Sequence, residues 1–266
     1  MTEHLLPDRL SFLNPYVVDD LARYGNQRDG GYLLPASVVA QIDAVLSFGL
    51  STDWSLEHDL SAGHPDRIIH VYDHTVGARS FRRSLKNAFF KFLGGRTSLA
   101  DLRARYATDA GYRQFFTGNR VHYRERVFNR RDNANDATLA LAFERLGGAR
   151  NVFLKMDIEG GEYRVIPQIS RFADRIAAIA IEFHDTDPLR PVFEAQVQAL
   201  RDQFAIIHVH GNNIAGVAAD GLPDALEVTF LNRRFAPSER QRDRLPVPGL
   251  DLPNDPLRPE LVLRFR

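Results

Sequence analysis

The feature that most constrains this chain is the alternation of short, nearly all-apolar runs with helical patterns. Such runs occur at 43–48 (DAVLSF), 67–72 (RIIHVY), 121–128 (VHYRERVF), 151–156 (NVFLKM), 176–183 (IAAIAIEF), 204–209 (FAIIHV) and 225–231 (ALEVTFL). A strand apolar nearly throughout is one covered on both faces. Helical patterns at 15–24, 54–61, 136–147, 161–169 and 191–202 supply the covers. This rhythm builds βαβ units and a parallel sheet. Only a Gly/Asn/Pro-rich loop separates the last two runs, so they are expected to form an antiparallel pair at a sheet edge. The expectation is therefore an α/β fold: seven strands, mostly parallel, with helices on both faces, in one domain spanning 1–266.

An apolar share of 44% suffices for a sizeable core. Formal net charge is zero, so the whole molecule exerts no strong pull on polyanions and no nucleic-acid partner is expected. Cysteine is absent, which excludes disulfides, thiolate metal sites and a cysteine nucleophile. The opening MTEHLLPDRL does not read as a secretory signal, and no run of 18 apolar residues occurs. A cytoplasmic location is expected.

Charge is unevenly spread. Residues 79–131 carry 14 Lys/Arg against Asp101, Asp109 and Glu125, a net of +11 that the rest of the chain balances. Within this stretch Phe81, Leu85, Ala88, Phe89 and Phe92 fall at helical spacing among Arg82, Arg83, Lys86 and Lys91, and a second helix fits 98–116. The segment reads as a basic, mostly helical insertion. Its charges are solvated, or they draw an anionic acceptor or an anionic membrane surface.

Open parallel sheets bind ligands at the carboxyl ends of their strands, beside the switch in strand order. After the first run comes SFGLSTDWSLE, where Gly49 permits a close backbone approach. Asp53 or Ser55 could cap the next helix, whose N-terminus favours a negative group. Asp73 follows the second run and offers two acceptor oxygens, as a ribose requires. The fourth run ends in KMDIEGGE, where alternation places Lys155, Asp157 and Glu159 on one side. Crowded carboxylates there need a compensating positive group. The fifth and sixth runs end in IEFHD and HVHGNN, and Glu182 with His184, and His208 with His210, share strand faces. Were those strands adjacent, their ends could meet Asp157 and form a general base or a metal site. Turns, strand ends and caps explain each residue singly; the grouping carries more.

Four blocks, RDGGYLLP at 28–35, VLSFGLSTDWSLE at 45–57, FLKMDIEGGEYRVI at 153–166 and HVHGNN with PDALEVTFLNR at 208–233, together with LDLPNDP at 250–256, make the chain resemble the FkbM-like methyltransferases. The resemblance implies a Rossmann-like fold, S-adenosylmethionine as methyl donor, and O-methylation of a sugar-like or other polar acceptor. It places Gly49, Ser51 and Glu57 in the first cofactor motif and Asp73 at the ribose. Asp157 and Glu159 would face the reacting centre. Asp29 and Tyr32 would come from a segment folding over the cofactor. Two departures stand out: the first motif holds a single Gly, and no motif covers the insertion.

Methyl transfer from a sulfonium is an in-line displacement, so alignment and exclusion of water come first. A base near the acceptor hydroxyl adds roughly 10²–10⁴-fold, and Asp157, His184 and His210 are the candidates, with Glu159 orienting one of them. Asn212 and Asn213 would bind acceptor hydroxyls, and Arg82, Arg83 and Lys86 would select an anionic acceptor. Two alternatives remain: a divalent metal held by Asp157, His184 and His210, or a non-catalytic binding module that keeps the fold.

Overall fold

The computed structural model describes residues 2–235 and 239–265. In chain order its strands are β1 (Thr2–Leu5), β2 (Leu21–Gly25), β3 (Gly31–Pro35), β4 (Ala44–Phe48), β5 (Ile68–Tyr72), β6 (Arg120–Tyr123), β7 (Arg126–Val127), β8 (Asp136–Ala137), β9 (Val152–Met156), β10 (Ile176–Phe183), β11 (Phe204–Gly211), β12 (Leu226–Asn232), β13 (Arg244–Leu245) and β14 (Leu261–Arg264). The helices are α1 (Ala36–Val39), α2 (Ser55–Ser61), α3 (Ala78–Leu93), α4 (Leu99–Phe115), α5 (Leu139–Arg145), α6 (Glu162–Val165) and α7 (Arg190–Arg201).

Seven strands form the central sheet in the order β11-β12-β10-β9-β4-β5-β6. β12 runs antiparallel to both its neighbours, and every other pairing is parallel. This is a Rossmann-like sheet, and its order switches between β4 and β9. Alternation along the strands feeds two cores. Leu46, Phe48, Leu154, Met156, Ile179 and Ile181 face α5, α6 and α7. Val45, Ile69, Val71, Phe153, Ala178 and Ala180 face α1, α2 and the roots of α3 and α4.

The structure departs from the sequence reading in several places. Residues 15–24 are not helical; Leu21–Gly25 pairs with Gly31–Pro35 in an antiparallel hairpin. Gly31 is required in its turn, because a Cβ there would lie 1.8 Å from the Asn26 carbonyl oxygen. The run 121–128 breaks after Tyr123 into β6 and the two-residue β7. The helix placed at 136–147 starts only at Leu139, where the Thr138 hydroxyl accepts from the Leu141 amide at 3.2 Å. Beyond the central sheet, β1 and β13 flank β14 in a second, three-stranded sheet.

Of the stretch 79–131, only the part through Phe115 is helical, a hairpin of α3 and α4; Arg120–Tyr123 is β6, the edge strand of the central sheet. A capping box between Ser98 and Asp101 starts α4. Its root is an aromatic cluster in which Trp54 meets Phe81 at 6.1 Å, Tyr112 at 6.0 Å and Phe116 at 6.3 Å between ring centroids. The stripe through the first helix divides: Phe81 and Ala88 are buried, Leu85 and Phe92 half-buried and Phe89 exposed, and beside it Phe90 and Leu93 are exposed as well. No helix among the described residues is long and apolar enough to cross a membrane.

Candidate active site

At the carboxyl ends of three adjacent strands the backbone turns through the left-handed region. Ser51 follows β4 with φ 51°, Glu159 follows β9 with φ 55°, and Asp185 follows β10 with φ 54°. Such residues cost about 1–3 kcal/mol each and collect at ligand sites. Gly49 has φ 88° as well. Its close approach is to the neighbouring strand: a Cβ would lie 1.8 Å from the Asp157 carbonyl oxygen. The β4 and β9 turns therefore lock together at the switch in strand order.

Two cavities open there. The first, about 610 Å³, is lined by Tyr72, Asp73, Thr75, Glu125 and Phe128 on one side and by the 157–161 turn on the other. The second, about 530 Å³, is lined by Asp29, Asp53, Glu57, Lys155, Glu182, His184 and Asn212, among others. Ser51, Asp157 and Glu159 line both. The two spaces thus meet at residues held by the strained turns.

Lys155 organises the charge between them. Its ammonium donates to the Gly49 carbonyl at 2.7 Å and to Asp157 Oδ2 at 3.1 Å. Burial alone would lower its pKa, but the Asp157 and Glu57 carboxylates outweigh that and hold it above the ordinary value. Glu57 is itself buried and accepts from the Ser47 hydroxyl; burial raises its pKa. His184 Nδ1 lies 3.2 Å from Glu162 Oε1, and Nε2 lies 3.6 Å from Glu159 and 4.0 Å from Asp157. Burial opposes its charge, yet the Glu162 hydrogen bond and the Glu182 and Asp157 carboxylates raise its pKa well above the ordinary histidine value. These neighbours favour the imidazolium, the form that donates rather than accepts. Glu182 shifts upward through burial beside the Glu227 and Asp157 carboxylates, while the Asn212 amide donates to its Oε1 at 2.8 Å.

Of the residues singled out in the sequence, Gly49, Ser51 and Asp73 line the first cavity. Asp29, Ser51, Glu57, His184 and Asn212 line the second, and Asp157 and Glu159 line both. Asp73 is heavily engaged: Oδ2 accepts the Leu50 and Ser51 amides at 2.9 Å each, and Oδ1 accepts the Thr75 amide at 2.7 Å and its hydroxyl at 2.5 Å. Burial would raise its pKa, but these bonds lower it. They fill all four acceptor positions of a carboxylate, so Asp73 first holds the β4 turn. Asp53 takes the α2 terminus by accepting the Ser55 amide at 2.9 Å, leaving the helix N-terminus already served by a carboxylate.

Several residues do not gather. β12 lies between β10 and β11, so His208 and His210 are two strands from the end of β10. His210 faces Glu227 at 3.3 Å and Glu260 at 3.4 Å, and His208 Nε2 donates to Asp251 Oδ2 at 2.9 Å. The metal set Asp157, His184 and His210 therefore does not form; among the described residues, Asp157, Glu182 and His184 are one group whose ligand atoms lie within 4.8 Å of one another, and Asp29, Glu182 and Glu227 are another. Lys155 and the His184 imidazolium already supply positive charge there. Asn213 donates to the carbonyls of Asp255 at 2.9 Å and Arg258 at 3.2 Å, fastening the C-terminal segment. Tyr32 is buried in the core beneath the hairpin, and burial raises its pKa. Arg82, Arg83 and Lys86 line neither cavity. Thr75 and Asn26 were missed. They are short polar residues in loops, and nothing in their spacing distinguishes them.

No protein-family model and no curated protein sequence matches the chain. Among solved structures it is similar to an rRNA methylase described as putative from Clostridium thermocellum, with TM-score 0.38 and 8% identity over 74% of this chain and 92% of that one. A fibrillarin/Nop5p complex gives TM-score 0.34 and 12% identity over 82% and 97%. A precorrin-6Y C5,15-methyltransferase from Geobacter metallireducens gives TM-score 0.32 and 10% identity over 74% and 87%. Similarities of this size lie below the level at which function follows from them.

Proposed function

We propose that the chain is an S-adenosylmethionine-dependent methyltransferase that methylates a hydroxyl of a neutral, polyhydroxylated acceptor such as a sugar. One observation carries this reading: two cavities at the switch in strand order share Ser51, Asp157 and Glu159, so that donor and acceptor can occupy separate lobes and meet between them. Seven strands ending in an antiparallel pair, and the resemblance of the KMDIEGGE block, agree with it.

The residues fit the donor. Tyr72, Val127 and Phe128 give the first cavity apolar walls for a purine. Thr75 is the one partner of Asp73 whose hydroxyl can rotate away and yield its place to a ribose hydroxyl. When bound, the donor supplies a methyl already activated on a sulfonium. Asp157 and Glu159 provide negative charge where that positive centre would sit, and the locked turns hold them in place.

The lining of the second cavity supports a neutral acceptor. Asp29, Asp53, Glu57, Asp157, Glu159 and Glu182 face Lys155 and His184 there. A lining so rich in carboxylates repels an anion and offers acceptors to hydroxyl groups, which replaces the expectation of an anionic substrate. Glu182 is the base this geometry favours. It lines the cavity, Asn212 orients it, and a carboxylate shifted toward neutrality matches its task better than an ordinary one.

Binding calorimetry tests the reading without knowledge of the acceptor. S-adenosylmethionine carries the sulfonium charge and S-adenosylhomocysteine does not. Asp157→Asn is expected to lose about tenfold of the preference for the charged ligand, on the scale of one partly screened charge pair. An unchanged ratio would remove Asp157 from the reacting centre.

A further inference from the structure

The α3–α4 hairpin, residues 78–115, holds nine Lys/Arg and two Asp. That charge has no task at the cavities, because the second is acidic and Arg82, Arg83 and Lys86 line neither. Arg82, Arg83, Lys86, Lys91 and Arg96 form no ion pair among the described residues, while Asp109 is neutralised by Arg113 and Asp101 is spent on the α4 cap. Among these cations the free end of the hairpin exposes large apolar side chains: Phe90 is 59% exposed and Leu93 66%. Phe89 and Leu99 are also exposed. One turn back, Leu85, Phe89, Leu102 and Tyr106 line a groove of about 560 Å³ rimmed by Arg82, Lys86 and Arg103.

The arrangement is polarised along the hairpin. The root is fixed by Trp54, Phe81, Tyr112 and Phe116, and the apolar residues that no core claims lie at the other end. Apolar residues ringed by cations are the pattern of a helix that lies in a lipid interface, with rings in the acyl boundary and ammonium and guanidinium groups at the head groups. Each basic residue near an anionic leaflet adds about 1 kcal/mol of attraction. A second copy of this surface would bring like charge against like charge. Nucleic acid would leave Leu93 and Leu99 without an apolar partner.

We propose that the free end of the α3–α4 hairpin docks on an anionic lipid bilayer, with Phe90 and Leu93 entering the acyl boundary and the surrounding Lys and Arg meeting the head groups. α3 starts at Ala78, three residues after Thr75 of the first cavity, and its 16 residues carry the docking end about 24 Å away from that cavity. The inference does not rest on the methyltransferase reading.

Flotation of the purified full chain with vesicles tests it. The chain is expected to float with vesicles of equal parts phosphatidylglycerol and phosphatidylcholine, to stay behind with phosphatidylcholine alone, and to be released by high salt. The double variant Phe90→Ser, Leu93→Ser should bind the anionic vesicles at least about tenfold more weakly. Its melting temperature should not change, since both side chains are exposed. Absence of binding by the wild-type chain, equal binding to neutral vesicles, or undiminished binding by the double variant would each overturn the proposal. So would concentration-dependent dimers that the double variant abolishes, or retention of a single-stranded RNA oligomer, in a chain that ignores vesicles.

Discussion

A single carbonyl oxygen explains Gly49. The residue was singled out for letting the backbone approach a ligand, but what presses against it is Asp157 on the neighbouring strand. Gly49→Ala should therefore destabilise the fold by at least about 2 kcal/mol, through a left-handed φ and a direct clash, and a denaturant titration would detect it. A stability within about 0.5 kcal/mol of wild type would show that the two turns are not locked. The carboxylates at 157 and 159 and the histidine at 184 were legible because they stand directly beyond apolar strands. The charge on the histidine was not: it depends on Glu162 and Glu182 packed around the ring, a three-dimensional fact. Because His184 is held charged by those neighbours, His184→Gln should lower acceptor turnover by weakening the hold on Asp157 and Glu159, not by removing a base. The residual rate is then expected to keep its alkaline rise, displaced to higher pH because the His184 charge lowers the Glu182 pKa, whereas Glu182→Gln abolishes the rise. A lost alkaline rise in His184→Gln would restore histidine as the base.

At the level of elements, the central strands were legible because burial on both faces demands near-continuous apolar runs. The β2–β3 hairpin was not, since Val17, Val18, Leu21 and Ala22 mimic a helical face; the Gly-rich turn at 30–31 was the better signal. The order of strands was also out of reach. Only the insertion of β12 between β10 and β11 separates His210 from the site, and that separation gives the HVHGNN block a different task. His208, His210 and Asn213 fasten the C-terminal segment that carries Asp251, Asp255 and Glu260. Asp251 also pairs with Arg23 at 3.1 Å, tying the segment to β2. Burial opposes a charge on His210, but Glu227 and Glu260 outweigh it and push its pKa from 6.5 up to about 10. A pKa raised on folding gives stability that is full below 6.5 and lost as pH rises through about 10. The melting temperature should fall across that window, and His210→Gln should flatten the fall. A wild-type curve level from neutral pH to about 10 would contradict the assignment.

The whole molecule is neutral by formal charge, yet it keeps its charges apart. Cations gather on a projecting hairpin and carboxylates at the ends of the central strands. The sequence showed the first concentration as a block of +11 in 79–131. The second is assembled from Asp29, Asp53, Glu57, Asp157, Glu159 and Glu182, spread too widely along the chain to be seen as one group. An electroneutral composition thus conceals an acidic pocket and a basic arm. The account depends above all on a donor site at the junction of β4, β5 and β9. Its most direct measurement is a calorimetric titration of S-adenosylhomocysteine into the wild-type chain and into Ser51→Phe, whose side chain would fill the space shared by the two cavities. Saturable one-to-one binding that Ser51→Phe removes is the predicted result; no binding by the wild-type chain, or equal binding by both, would contradict it.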